Sequence, residues 1–345
     1  MNIAIRADAS ITMGTGHIMR CVALASHLPQ SARITFLCKR MPGHLGEKIL
    51  QQGFRLILAD IPDGISQAHE AQLWCELLSE SELSLLIVDH YALGAAFCGV
   101  MRRMSQHIMV IDDLANRLHD CDILLDQNYY SAPEHRYKAL IPDHCKSLLG
   151  PKFAMLRDEF NQRLATRMPN HLLISFGGSD EQNLTAQCAA LLPSLSNYNV
   201  TADVVIGASY PFSRELQLQI AQYKGVTLHE NCHYMSELMQ KASLMIGSGG
   251  STHWERCRVG LPGLIITTAD NQTEITKELA KAGACEWLGA YEQFSPDLLI
   301  RKILFYFQHP DALLALSRQA RNIVPPDSGV NKVIEHINHL HGEKL

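Results

Sequence analysis

The sequence predicts an α/β protein built from two doubly wound units, and three observations predict it. Short apolar runs alternate with helix-length segments along the whole chain, the runs are continuously apolar, and the same order of strand, glycine loop and helix begins again after residue 170. Continuous apolar strands separated by helices are the mark of parallel sheets covered on both faces. A length of 345 residues suits two domains of roughly 150 residues each.

The expected strands of the first half are NIAIRA (2–7), RITFLC (33–38), RLILA (55–59), SLLIVD (84–89), HIMVID (107–112) and DILLD (122–126). Those of the second half are LLISF (172–176), DVVIG (203–207), GVTLH (225–229), SLMIG (243–247) and GLIITT (263–268). Helical patterns lie between many of them, at 18–28, 67–79, 182–192 and 274–281. The break is expected where SLLGPKFAML gives way to Arg157, Asp158, Glu159, Arg163 and Arg167 and then MPNH. This gives a first domain over 1–152, a linker over 153–170 and a second domain over 171–345. Two more helical patterns, 311–321 and 329–340, close the chain, and the sequence alone does not show whether they cross back onto the first domain. Ligands of such sheets bind beyond the carboxyl ends of strands, so a cleft between the two domains is the expected site.

Composition narrows the function. Thirty Lys and Arg stand against 35 Asp and Glu, a formal charge of -5, which leaves no electrostatic footprint for nucleic acid or an anionic membrane. The 17 His and 10 Cys invite a metal or redox reading. Spacing removes it: no two Cys are closer than seventeen residues, Cys21 and Cys38 being the nearest pair, so there is no CxxC. Scattered Cys of this kind read as small core hydrophobes of a reducing compartment. Arg6 and Asp8 interrupt the first apolar run, and no stretch approaches the ~18 residues of a membrane span. The expectation is a cytoplasmic protein, favoured as a monomer, with a small-molecule substrate, no cofactor, no metal, no nucleic-acid partner and no membrane insertion.

The first strand runs into ADASITMGTGHIMRC, where Gly14 and Gly16 precede an amphipathic segment. Met19 holds the third position of a GxGxxG pattern, and the second strand leads to Cys38, Lys39 and Arg40 with no carboxylate, so a dinucleotide site is poorly supported. His17 falls where the helix begins. The positive end of a helix dipole favours neutral imidazole, which can accept a proton, and a strand end beside two glycines favours that role over capping or packing. VDHY places Asp89, His90 and Tyr91 at the fourth strand's end, and IDDL places Asp112 and Asp113 at the fifth. Tyr91 reads equally as a substrate contact or a packing residue, a carboxylate here could orient an imidazole, and Asp112 and Asp113 read as caps of loops or helices.

The second half has two small-residue turns after strands: SFGGSD, with Gly177, Gly178 and Ser179, and GSGGST, with Gly249, Gly250, Ser251 and Thr252. Each can offer backbone amides to a diphosphate at a helix start, with no Walker lysine, and each singly is also an ordinary tight turn. Glu255 lies one helical turn after Ser251, within reach of ribose hydroxyls, although a capping or solvated carboxylate fits too. Asp270, Asn271 and Gln272 supply amide and carboxylate groups suited to a sugar, while Thr273 and Glu274 suit a helix start equally. HENCH at 229–233 matches the HExxH zinc string by chance, since His229 ends a strand pattern and the helical MSELMQ begins only at Met235. His336, His339 and His341 near the chain end are assigned no role.

With RADAS and GTGHIMRC at 6–21, VDHY at 88–91, SFGGSD at 175–180, GSGGSTHWERC with GLP at 247–262 and ADNQ at 269–272, the chain resembles the PseG family. These are UDP-sugar hydrolases of pseudaminic acid biosynthesis, the supply line of flagellin glycosylation. The second half also resembles the nucleotide-binding domain of GT-B glycosyltransferases. The resemblance implies a GT-B-like pair of Rossmann-type domains around a cleft, and metal-independent hydrolysis of UDP-2,4-diacetamido-2,4,6-trideoxy-β-L-altropyranose with C1–O cleavage and inversion. It implies His17 as the base, Tyr91 and Asn271 as binding or orienting groups, the turns at Gly177, Gly178, Gly249, Gly250 and Ser251 as the UDP site, and Glu255 on its ribose. Neutral imidazole is worth ~10²–10⁴-fold as a general base. UDP is a good leaving group, so the carboxylate pair of ordinary glycosidases is not needed. A glycosyltransferase, a UDP-sugar 2-epimerase and a non-catalytic nucleotide-sugar sensor are the alternatives on the same plan.

Overall fold

The apolar runs become strands because both sheet faces are covered, which removes the polar face that would make the pattern alternate. In a computed structural model, residues 1–79, 82–162, 165–340 and 342 are described. The first sheet contains β1 (Asn2–Ala7), β2 (Arg33–Lys39), β3 (Arg55–Ala59), β4 (Leu83–Asp89), β5 (Ser105–Ile111), β6 (Ile123–Asp126) and β7 (Lys146–Leu149). The second contains β8 (His171–Ser175), β9 (Thr201–Ile206), β10 (Val226–Glu230), β11 (Leu244–Gly247), β12 (Gly263–Thr267) and β13 (Glu286–Ala290). All pairings within them are parallel. The orders are β3-β2-β1-β4-β5-β6-β7 and β10-β9-β8-β11-β12-β13, so each sheet winds outward in both directions from its first strand.

Helices of the first unit are α1 (Gly16–Ala25), α2 (Gly46–Gln51), α3 (Gln67–Leu78), α4 (Ala95–Met101) and the one-turn α5 (Glu134–Tyr137). The second half adds α6 (Leu184–Ala189), α7 (Ser213–Ile220), α8 (Met235–Lys241), α9 (Thr252–Arg258), α10 (Asp270–Lys281), α11 (Pro296–Gln308), α12 (Pro310–Ile323) and α13 (Val330–Leu340). In β1 the side chains divide between faces: Ile3, Ile5 and Ala7 join α1, α2 and α13 in one core, while Ala4 joins Trp74 of α3 and Phe97 of α4 in the other. β8 divides likewise, with Leu172 and Ile174 in one core and Leu173 against α8 in the other. Among the described residues no helix is long and apolar enough to cross a membrane.

Two strands escape the sequence pattern, and both are edges. KSLL of β7 and EWLGA of β13 have a neighbour on one side only and are partly exposed, so burial does not impose a continuous apolar run on them. The domain boundaries also differ from expectation. The two units are Met1–Met155 with Ser328–Leu345, and Leu156–Asp327. The expected second domain therefore extends too far, because α13 buries Val330, Val333, Ile334 and Ile337 in the first unit's core. The expected linker is divided as well: Phe153 and Met155 pack in the first core, and Phe160 packs in the second. Arg163 and His341 lie outside the described residues.

HENCH does not lie on one helix. His229 is on β10 and its Nε2 meets Asp203 Oδ1 at 2.9 Å, while His171 Nε2 meets Oδ2 of the same carboxylate at 2.8 Å. Burial opposes the charge on Asp203, but hydrogen bonds from His171 and His229 hold its carboxyl down at about 2.

Two outcomes are expected. Ile337→Ala lowers the stability of the first unit by about 2–5 kcal/mol through lost burial and a cavity; hydrogen exchange of the β1–β7 amides reads it, and unchanged protection there contradicts the placement of α13. Because the folded-state pKa of Asp203 is below the unfolded value of about 3.9, its contribution is complete above that value and is lost as pH falls from about 4 toward 2. The stability gap between the protein and Asp203→Asn, measured by urea denaturation, is therefore larger at pH 7 than at pH 3.

Candidate active site

Strand order reverses between β1 and β4 in one unit and between β8 and β11 in the other. Chains leaving neighbouring strands there diverge to opposite faces, which opens a crevice at the carboxyl ends. Register brings Ala7 opposite Asp89 in the first sheet and Ser175 opposite Gly247 in the second. The segments singled out from the sequence thus meet in pairs: ADASITMGTGH with VDHY, and SFGGSD with GSGGST.

At the first crevice, His17 opens α1 and is nearly buried. Its Nδ1 lies 2.6 Å from Asp89 Oδ1. Asp89 can only accept, so Nδ1 carries the hydrogen and Nε2 is left as the basic nitrogen. Arg20, one turn further along α1, donates Nε to Asp89 Oδ2 at 2.6 Å and Nη2 to Oδ1 at 2.5 Å. Its Nη1 reaches Asp113 Oδ2 at 2.8 Å. Burial opposes ionisation of both partners, yet Arg20 and His17 hold the Asp89 carboxyl well below the usual range, while Asp113 and Asp89 raise the Arg20 guanidinium. Tyr91 packs edge-on to the His17 ring, centroids 4.5 Å apart, and donates its hydroxyl to Asp113 Oδ2 at 3.2 Å. Burial and the charge of Asp113 push the Tyr91 phenol upward, so it remains a neutral donor.

Asp113 is consequently not the loop cap expected of it. Besides Arg20 and Tyr91 it accepts from Asn128 Nδ2 at 3.0 Å. Asp112 does cap its loop, accepting from Ala115 N at 2.7 Å, and pairs with Arg117. His90 also has a structural place: its Nδ1 accepts from Ala92 N, and its Nε2 faces Asp8 Oδ2 at 3.3 Å. Asp8 is buried with Arg6, 2.6 Å away, and Arg6 continues to Glu70 and lies over the Trp74 ring. Arg20 and Asp113 are the members that sequence reasoning missed. The spacing of His17 and Arg20, three residues on one helix face, is the signal that could have found Arg20.

At the second crevice, backbone approach dictates small residues. A Cβ on Gly247 would lie 2.4 Å from Ser175 O, and one on Gly249 would lie 2.4 Å from Thr276 Oγ1 of α10. Gly177 adopts φ +91. Gly177 and Gly178 are exposed, Ser179 is half-buried, and Asp180 ties the end of the loop to α6 by accepting from Leu184 N and Thr185 N. Gly250 is half-buried and Ser251 exposed, with Thr252 the first residue of α9, and the next two amides, of His253 and Trp254, donate back to Gly250 O and Ser251 O, each at 3.0 Å. The Gly249 amide is already engaged: Gln272 Oε1 accepts from it and from Thr268 N, each at 3.1 Å. Gln272 thereby ties the turn before α9 to the start of α10, where Asn271 is exposed. Glu255 on α9 accepts from Arg157 Nη2 at 3.2 Å, and burial raises its carboxyl pKa despite that arginine. In the first unit, Gly14 at φ +79 and Gly16 have open space where a Cβ would stand.

Residues 171–336 match the glycosyltransferase family 28 C-terminal domain. The UDP-2,4-diacetamido-2,4,6-trideoxy-beta-L-altropyranose hydrolase of Campylobacter jejuni is 27% identical over 286 residues, covering 82% of this chain and 97% of that one. MurG of Acinetobacter baumannii superposes with a TM-score of 0.68 at 16% identity, covering 98% of this chain and 99% of that one. A putative UDP-N-acetylglucosamine 2-epimerase from Listeria monocytogenes gives 0.66 at 13% identity, covering 99% and 97%. The chain is thus similar in sequence to a UDP-sugar hydrolase over most of its length, and its α/β fold is that of GT-B glycosyltransferases.

Proposed function

We propose that the protein hydrolyses UDP-2,4-diacetamido-2,4,6-trideoxy-β-L-altropyranose, the substrate in the name of its Campylobacter jejuni relative, to the free sugar and UDP in the cytoplasm, as a step of pseudaminic acid biosynthesis. The observation that carries this reading is the His17–Asp89 pair at the β1/β4 crevice. With Nδ1 committed to the carboxylate, Nε2 takes a proton from water as the oxygen attacks the anomeric carbon. The C1–O bond breaks on the opposite side, its electron pair leaves with UDP, and the configuration inverts. Tyr91 and Asn271 bind or orient the sugar, Gly14 and Gly16 let the His17 loop approach it, and the amides around Gly177, Gly178, Ser179, Gly250, Ser251 and Thr252 receive the diphosphate charge. Glu255 takes the ribose hydroxyls by exchanging its bond from Arg157, and Gly249 and Gln272 hold the turn in shape. This step uses His17 for the proton and backbone amides for the leaving group, so it calls on neither metal nor cofactor.

Two measurements test this. Incubated with the UDP-sugar alone, the protein releases UDP, and NMR shows the free sugar formed with inversion at C1 and its C2 configuration kept; release only on addition of an acceptor would make it a glycosyltransferase, and inversion at C2 an epimerase. His17→Ala lowers turnover by ~10²–10⁴-fold, the usual worth of a general base, while calorimetry finds UDP binding close to that of the unaltered protein; retained turnover would remove His17 from the chemistry.

A further inference from the structure

Asp89 alone would be a poor companion for a base. A full negative charge hydrogen-bonded to imidazole in a dry site favours the imidazolium, which no longer accepts a proton. Here the charge is shared. The Arg20 guanidinium spans both oxygens of Asp89, and its third nitrogen is held by Asp113 at 2.8 and 3.1 Å. Arg20 Nη2 and His17 Nδ1 converge as donors on the same Asp89 oxygen and so stand 3.3 Å apart. The chain of groups runs His17, Asp89, Arg20, Asp113, Tyr91, and Tyr91 returns to the His17 ring. Around the chain, Cys21 Sγ faces Asp89 Oδ2 at 3.4 Å, its thiol kept neutral by burial, Asn128 Nδ2 donates to Asp113 Oδ1 at 3.0 Å, and the buried Asp126 carboxyl is raised by burial and by the charge of Asp113.

We propose that Arg20 and Asp113 form an electrostatic clamp that sets the protonation and orientation of His17. They are positioning residues: Arg20 offsets the charge of Asp89 so that it orients the ring without trapping a proton on it, and Asp113 limits how far that offset goes. The assignment of catalytic consequence rests on His17 being the base of the proposed hydrolysis; the clamp itself does not.

The clamp predicts shifts of opposite sign, which loss of structure would not give. In NMR titrations of the full chain, with the His17 signal identified by its loss in His17→Gln, Arg20→Met moves the His17 midpoint up by about one pH unit, the scale of removing a like charge nearby. Asp113→Asn moves it down by a smaller amount, and Arg20→Lys, which keeps the charge without the fork, stays near the unaltered protein. An unmoved midpoint in a folded Asp113→Asn, or shifts of the same sign in Asp113→Asn and Arg20→Met, overturns the clamp. Should Arg20→Met not fold, Asp113→Asn decides alone. The acid limb of kcat/KM for UDP release is then expected to follow the same midpoints; midpoints that shift while the limb stays fixed would uphold the clamp and remove His17 as the base.

Discussion

Asp89 ends β4 with its side chain fully buried, where an unpaired carboxylate would be costly. It is tolerated because α1, starting after β1, delivers His17 and Arg20 to it, and because β1 and β4 are neighbours at the point where strand order reverses. Removing the carboxylate would leave a largely buried guanidinium with Asp113 alone, and removing Arg20 would leave the carboxylate to the His17 imidazole and the weak Cys21 thiol donor. The first unit's site is therefore one connected object, and Tyr91 and Asp113 belong to it through the same arginine.

The second unit solves a different problem. There the requirement is close backbone approach, met by Gly247 against Ser175 O and Gly249 against Thr276. His253 meets Thr276 Oγ1 at 3.0 Å, and Arg256 donates to His253 Nδ1 and to Ala284 O, so α9 and α10 are fastened below the turn by buried polar groups. Gln272 fastens them above it. A turn held from both sides keeps its amides oriented, which is the preorganisation that the proposed diphosphate site would need.

Much of this was legible in the residues. Every interior strand of both sheets announced itself as an apolar run, because burial on two faces leaves no choice of pattern, and His17, Tyr91 and the glycine turns stood out by falling just after such runs. What escaped did so for physical reasons. β7 and β13 are edges and carry mixed residues. Asp113 looked like one more loop carboxylate because its partners, Arg20 and Asn128, are 93 and 15 residues away. Gln272 looked like a sugar ligand because its acceptor oxygen is committed only once α9 and α10 are side by side.

The sequence by itself determined the periodicities, and with them the two parallel sheets and the loops in which the candidate site residues fall, since period and composition are local properties that each segment states on its own. It could not state which strands are neighbours. Only the tertiary structure decided that Asp89 faces His17 across 72 residues, that α13 closes the first unit's core, and that Gln272 occupies the Gly249 amide. Those pairings are set by burying distant apolar faces together, and a buried charge or amide then takes whichever partner that packing brings within hydrogen-bonding distance.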